Sequence, residues 1–171
     1  SQPISAVGRS HVGSEVTSYN DFAAGATTMY APMLFKNQFG GAYNSALYIQ
    51  NMSPSDPAHI TIKFYDVFGV YSGEMSDTLA SLSARGYWIP SREMLPVVWS
   101  GGAVVTSDQP IVAIGRPHIG DQVTAYNGFA AGATTINVPM LFKNKPGTGG
   151  VYSSAVYVQN VDPLDPANIA I

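Results

Sequence analysis

The chain has 171 residues, of which 46% are hydrophobic and only 11% charged, less than half the share of charge in an ordinary soluble domain. The apolar fraction excludes a disordered chain, and 17 Gly and 12 Pro argue against helical bundles and coiled coils. A net charge of −3 with no basic run offers no footing on phosphate, so nucleic acid is not an expected partner; the absence of Cys removes disulfides, thiolate catalysis and Cys-based metal sites.

In chain order, Pro32 to Lys36 reads as a short apolar strand and Ser45 to Gln50 alternates with Leu47 and Ile49 on one face. Ile60, Ile62 and Phe64 alternate with Thr61, Lys63 and Tyr65, and a turn is expected at Asp66-Val67-Phe68-Gly69. A weaker strand or pair of strands spans Val70 to Leu82, and a clearer one covers Gly86 to Pro90. Arg92 to Trp99 has room for one short turn between Pro90 and Pro96. Gly101 to Thr106 and Pro110 to Arg116 read as two β-branched strands joined at Ser107-Asp108-Gln109. No apolar stretch is long enough for a transmembrane helix, and membrane insertion is not expected.

The chain repeats itself. At an offset of 107, residues 2–37 match residues 109–144 at 25 of 36 positions; at an offset of 109, residues 43–62 match 152–171 at 12 of 20. The two extra residues fall in a Gly-rich stretch, where a surface hairpin changes length. The period is one domain. The expected fold is therefore all-β: immunoglobulin-like β-sandwich modules in tandem, each of about seven strands, with a small barrel as the alternative. On this reading, residues 1–29 hold the last strand and connector of a preceding repeat. Residues 30–132 form a complete repeat with its connector, and residues 133–171 hold the first strands of the following one. The expected context is a window of a longer array.

The order of Pro32-Met33-Leu34-Phe35-Lys36-Asn37, a Gly-rich loop, Ser45 to Asn51, Ile60 to Asp66, Gly101 to Ile114 and Ala125-Tyr126-Asn127-Gly128-Phe129 resembles repeats of large secreted or surface-attached proteins of filamentous bacteria. The resemblance implies immunoglobulin-like stalk modules, an extracellular or cell-surface location, a structural or adhesive role, and no catalytic residue.

Function is thus expected to lie in contacts. The expected partners are other copies of the chain or neighbouring repeats, with a glycan as a further possibility; no cofactor or metal is expected. The interface candidates are Pro3, Ile4, Val7, Arg9 and His11 in the unpartnered last strand, Tyr19 and Phe22 in the connector, and the repeat positions Arg116, His118, Tyr126 and Phe129. The alternative is an adhesin or carbohydrate-binding module using Tyr19, Tyr43, Tyr48 and Tyr65, with their counterparts Tyr126, Tyr152 and Tyr157. An enzyme is not expected, since no nucleophile, base and orienting acid come together around His11 or His118.

Other chemistry has a plainer account. Asp56, Asp162 and Asp165 suggest calcium less than Asx-Pro turns. Lys36-Asn37 and Lys143-Asn144 match the ingredients of an amide cross-link but also ordinary turn chemistry, and the glycosylation pattern at Asn51 is missing from the second copy. Trp88 and Trp99 are expected in the core.

Overall fold

The computed structural model describes residues 4–12, 15–162 and 164–170. Its strands are antiparallel: β1 (Val7–Val12), β2 (Glu15–Asn20), β3 (Ala26–Lys36), β4 (Tyr43–Asn51), β5 (Ala58–Asp66), β6 (Tyr71–Leu79), β7 (Ala84–Trp88), β8 (Trp99–Ile119), β9 (Gln122–Val123), β10 (Tyr126–Asn127), β11 (Lys145–Gly147) and β12 (Gly150–Tyr152). The helical content among the described residues is one 3-10 turn at Ile89–Ser91, with Pro90 at its start.

An eight-stranded sheet curls into an open half-barrel around β8. The first half of this 21-residue strand pairs with β5 on one side and β3 on the other; the second half pairs with β4, and with β9 and β10. β6 extends one wing beyond β5, and β7 extends the other beyond β4. The result is sandwich-like, with two wings facing each other over one core. Alternation puts Met29, Leu34, Ile60, Ile62 and Phe64 on the inner face of the first wing, opposite Leu47, Ile49, Tyr87 and Ile111 of the second. Trp99 joins this core edge-on to Phe64, at 5.9 Å between ring centres.

The expected turn at Ser107-Asp108-Gln109 is not a turn. Ser107 still pairs with Ile60, while the Asp108 carboxylate takes the His59 N–H at 2.8 Å and the Ser107 hydroxyl takes the Gln109 N–H at 3.1 Å. Side chains thus satisfy the backbone where β8 leaves one wing for the other, and the chain bends without reversing. Two expected strands are one. β3 also begins at Ala26, earlier than its apolar run suggests, because small and β-branched residues from Ala26 to Tyr30 pair with β8. Trp88 is exposed on the outer face of β7, against the expectation of burial: Tyr87 takes the inward position and alternation turns its neighbour out.

Two polar devices hold the shape. Register slips by one residue between Ala31 and Leu34, at Pro32-Met33, where Pro cannot donate to the ladder. The Tyr126 hydroxyl accepts from the Met33 N–H at 3.1 Å and donates to the Met33 carbonyl at 2.9 Å, replacing both lost bonds. Burial pushes this phenol well above its ordinary range despite the bond to Met33. At the open side of the half-barrel, Asp77 on β6 accepts from Arg85 Nη1 (2.6 Å) and from the Tyr87 hydroxyl (2.9 Å) on β7, latching the two edge strands.

Tyr126→Phe strands two backbone groups at the bulge and should cost about 1–3 kcal/mol in urea denaturation. Burial alone would raise Asp77, but the bonds from Arg85, the Thr78 N–H and Tyr87 outweigh it and hold the carboxyl below its ordinary value. Its contribution is therefore present above the unfolded carboxylate range, near pH 4, and is lost as pH falls through the depressed folded value. Thermal melts should show a fall in stability on acidification that Asp77→Asn reduces.

Candidate functional site

The hairpin of β1 and β2 lies over the outer face of the β4–β8–β7 wing, leaving a groove of about 500 Å³ whose walls include Tyr19, Phe22, Tyr48, Gln50, Ile114 and Arg116. It is tied to β10 by Asn127 Nδ2 donating to the Asn20 carbonyl at 2.9 Å. Of the interface candidates, Ile4, Val7 and Arg9 are exposed, and His11 pairs through its backbone with Val16. Pro3 lies outside the described residues. Tyr19 packs over Gly8, and Phe22 is partly buried against the core. Arg116 is half-buried in the groove with Nε enclosed and without a partner. His118 meets the exposed Trp88 edge-on at 5.6 Å; burial, then the Arg116 charge, lowers its pKa and favours the neutral ring. Tyr126 is the internal bulge clamp, and Phe129 is exposed while its backbone pairs with Tyr30. Tyr19, Phe22 and Arg116 thus share one groove, and Tyr126 and Phe129 are not among its walls.

Of the tyrosines, Tyr19 and Tyr48 share the groove and the others lie elsewhere. Tyr48 faces outward over Gly86, Tyr65 meets Tyr71 at 6.0 Å on the other wing, and Tyr43 packs against Phe35 and Phe39. Among the described residues no group of three His, Asp or Glu side chains is arranged to hold a metal. Asp162 accepts from the Leu164 and Asp165 N–H groups, and these bonds depress its pKa, as in an Asx turn. Asn51 is fully buried and donates to the carbonyls of Asp56, Leu79 and Ala80, so its amide is engaged inside the fold.

Lys36 is buried, its ammonium donating to the carbonyls of Arg92 (2.6 Å) and Leu95 (3.0 Å), while Asn37 Nδ2 donates to the Val97 carbonyl at 3.0 Å. The pair grips the loop before β8. No composition or periodicity signal marks this role, since the accepting carbonyls are sequence-independent. Around that loop the unit presents an apolar end: Lys36 pairs with Trp99 and Asp66 with Gly101, so the β3–β4, β5–β6 and β7–β8 connections emerge together. They expose Phe39, Val67, Phe68, Val97 and Val98.

The two sequence copies build the same local geometry. β1 and β2 pair Val7 with Asn20 and Gly8 with Tyr19; the equivalent residues pair Ile114 with Asn127 and Gly115 with Tyr126. The Phe35 N–H bonds the Ser45 hydroxyl and the Phe142 N–H bonds Ser154, both at 2.9 Å. Asn37 and Asn144 both adopt left-handed backbone, at φ 51° and 49°. Asn51 donates to the Asp56 carbonyl at 2.8 Å, and Asn160 to that of Asp165 at 2.7 Å.

What differs is burial. Leu34, Leu47 and Ile60 are 0%, 0% and 1% exposed, whereas their counterparts Leu141, Val156 and Ile169 are 50%, 42% and 56% exposed. The second copy has its turns and its apolar rows but, among the described residues, no long strand equivalent to β8 to pair them.

No protein-family model and no curated protein matches this sequence. Solved structures similar to this chain include the following two. The protein 1070 of Thermotoga maritima shares 16% identity at a TM-score of 0.52, over 61% of this chain and 94% of its own. The sensory rhodopsin transducer of Anabaena shares 18% identity at a TM-score of 0.44, over 54% of this chain and 97% of its own. The first similarity is one of fold.

Lys36→Met removes the donor from two carbonyls and should destabilise by about 1–3 kcal/mol in urea denaturation. With its ammonium held by backbone carbonyls, the Lys36-containing peptide should show its unmodified mass, with no loss of ammonia to an amide cross-link.

Proposed function

We propose that this chain is a structural repeat module of an extracellular filament, sheath or surface stalk, working through module-to-module and strand-pairing contacts and catalysing no reaction. Its modules are immunoglobulin-like β-sandwiches in tandem. The observation that carries the reading is the exposed apolar row of the second copy. Burying a fully exposed side chain of this kind contributes about 1.5–3 kcal/mol; Ile136, Leu141, Val156 and Val158 are 69%, 50%, 42% and 48% exposed, so covering what remains in water adds about 3–6 kcal/mol, a large fraction of the net stability of a domain. Covering by a neighbouring module recovers it. The apolar loop end and the low charge of the chain support the same reading.

A second reading, an adhesin or carbohydrate-binding module, draws on Tyr48 and Trp88. Both are exposed on adjoining strands of one outer face, beside Arg116 and the groove. Electron microscopy of native material separates the two. The structural reading expects regular fibres with an axial step on the order of 30–45 Å, one module of strands and connector. Dispersed monomers that bind a glycan array through Trp88 would overturn it in favour of the second.

A further inference from the structure

We propose that β1 of one copy pairs with residues 152–160 of a second copy, in a register set by the sequence duplication. The inference rests on the structural reading above and names its contact. In the complete unit, β4 pairs with the end of β8 from Tyr43 opposite Ile119 to Asn51 opposite Ile111. Residues 152–160 are the counterpart of β4, and residues 4–12 are the counterpart of residues 111–119. The transferred register sets Tyr152 opposite Val12, Ala155 opposite Arg9, Val156 opposite Gly8 and Asn160 opposite Ile4.

A second correspondence points the same way. Tyr19 stands in its hairpin where Tyr126 stands, packed over a glycine in each case, and Pro139-Met140 repeats the Pro32-Met33 bulge. The same transfer brings the Tyr19 hydroxyl to the Met140 backbone, where Tyr126 serves Met33. Strand edge and bulge clamp are thus separate halves of one recognition surface.

The present surroundings of the two segments place them apart and leave them available. β1 and β2 lie over the β4–β8–β7 wing, whereas Gln159 Nε2 contacts the Ala103 carbonyl at 3.4 Å and the Val161 carbonyl meets the Tyr30 hydroxyl at 3.4 Å on the other wing. Pairing between them therefore joins two chains. The seat of residues 157–161 is also a poor one: Gln159 Oε1 is buried there without a hydrogen-bond partner, a cost that strand pairing releases. Extended backbone next to an unpaired edge is the standard geometry of strand addition.

The cysteine-free chain gives a clean test. Two single variants of the full chain, Arg9→Cys and Ala155→Cys, are mixed under mild oxidation and the disulfide-linked dimer is quantified. The expected result is a heterodimer in at least tenfold excess over that from Arg9→Cys mixed with Val156→Cys, because a one-residue shift turns the side chain to the opposite face. Tyr19→Phe should reduce the dimer yield and leave the melting of the central unit unchanged, whereas Tyr126→Phe lowers that melting. Equal yields at positions 155 and 156, or no cross-link at either, overturn the pairing. If fibres with a module step still form in that case, the structural reading stands and only this contact fails; if fibres are also absent, both fail.

Discussion

β8 is the constraint on which everything else in the unit depends. Its first half is flanked by β3 and β5 and its second half by β4 and the β9–β10 segment, so both wings receive their central backbone hydrogen bonds from one continuous strand. A strand shared in this way must bend without breaking its ladder. Asp108 and Ser107 make that possible by supplying side-chain acceptors for the N–H groups at the bend. With β8 in place, the inner rows of both wings meet and exclude water; without it, β3 and β4 would be two isolated ribbons.

The second copy shows that outcome within the same chain. Its hairpin keeps the Asn144 backbone conformation, the Ser154 hydrogen bond and the Phe142–Tyr152 ring contact at 5.7 Å, matching Asn37, Ser45 and the Phe35–Tyr43 pair. Local turn chemistry therefore forms on its own, whereas burial of Leu141 and Val156 does not. The separation of local from non-local order leaves the turn at Asn144 and the Phe142–Ser154 bond shaped in advance, and the entropy cost of pairing the segment that follows falls accordingly. The proposed structural role and the proposed strand exchange both draw on this property.

Strand positions were legible where one face alternates, as at Leu47-Ile49 and Ile60-Ile62-Phe64, because period-two burial is a local signal. The duplication was legible too, and it anticipates which segments share a register. The bend of β8 was not: Ser107-Asp108-Gln109 has turn composition, and only the position of His59 on a neighbouring strand shows its side chains serving the backbone of a continuing ladder. Trp88 exceeds what hydrophobicity alone can place, since Trp88 and Tyr87 compete for one inward position. The Lys36 grip reaches backbone carbonyls 56 and 59 residues away, which no side-chain pattern marks, and the Asp77 latch joins two edge strands whose facing depends on the curl of the whole sheet. Of the groove, β1 was legible as a strand, but β2 was not: the segment after His11 reads as a connector, whereas Glu15–Asn20 pairs with β1 along its whole length.

Residues 153–160, which follow β12, become sheet only when a β8-type strand lies beside them. Hydrogen exchange of their backbone amides, followed by mass spectrometry from dilute to concentrated chain, tests this most directly. The account predicts rapid exchange in dilute solution and protection that rises with concentration, while β4 stays protected throughout. Protection of residues 153–160 equal to that of β4 at the lowest concentration would contradict it, as would exchange that stays rapid at every concentration.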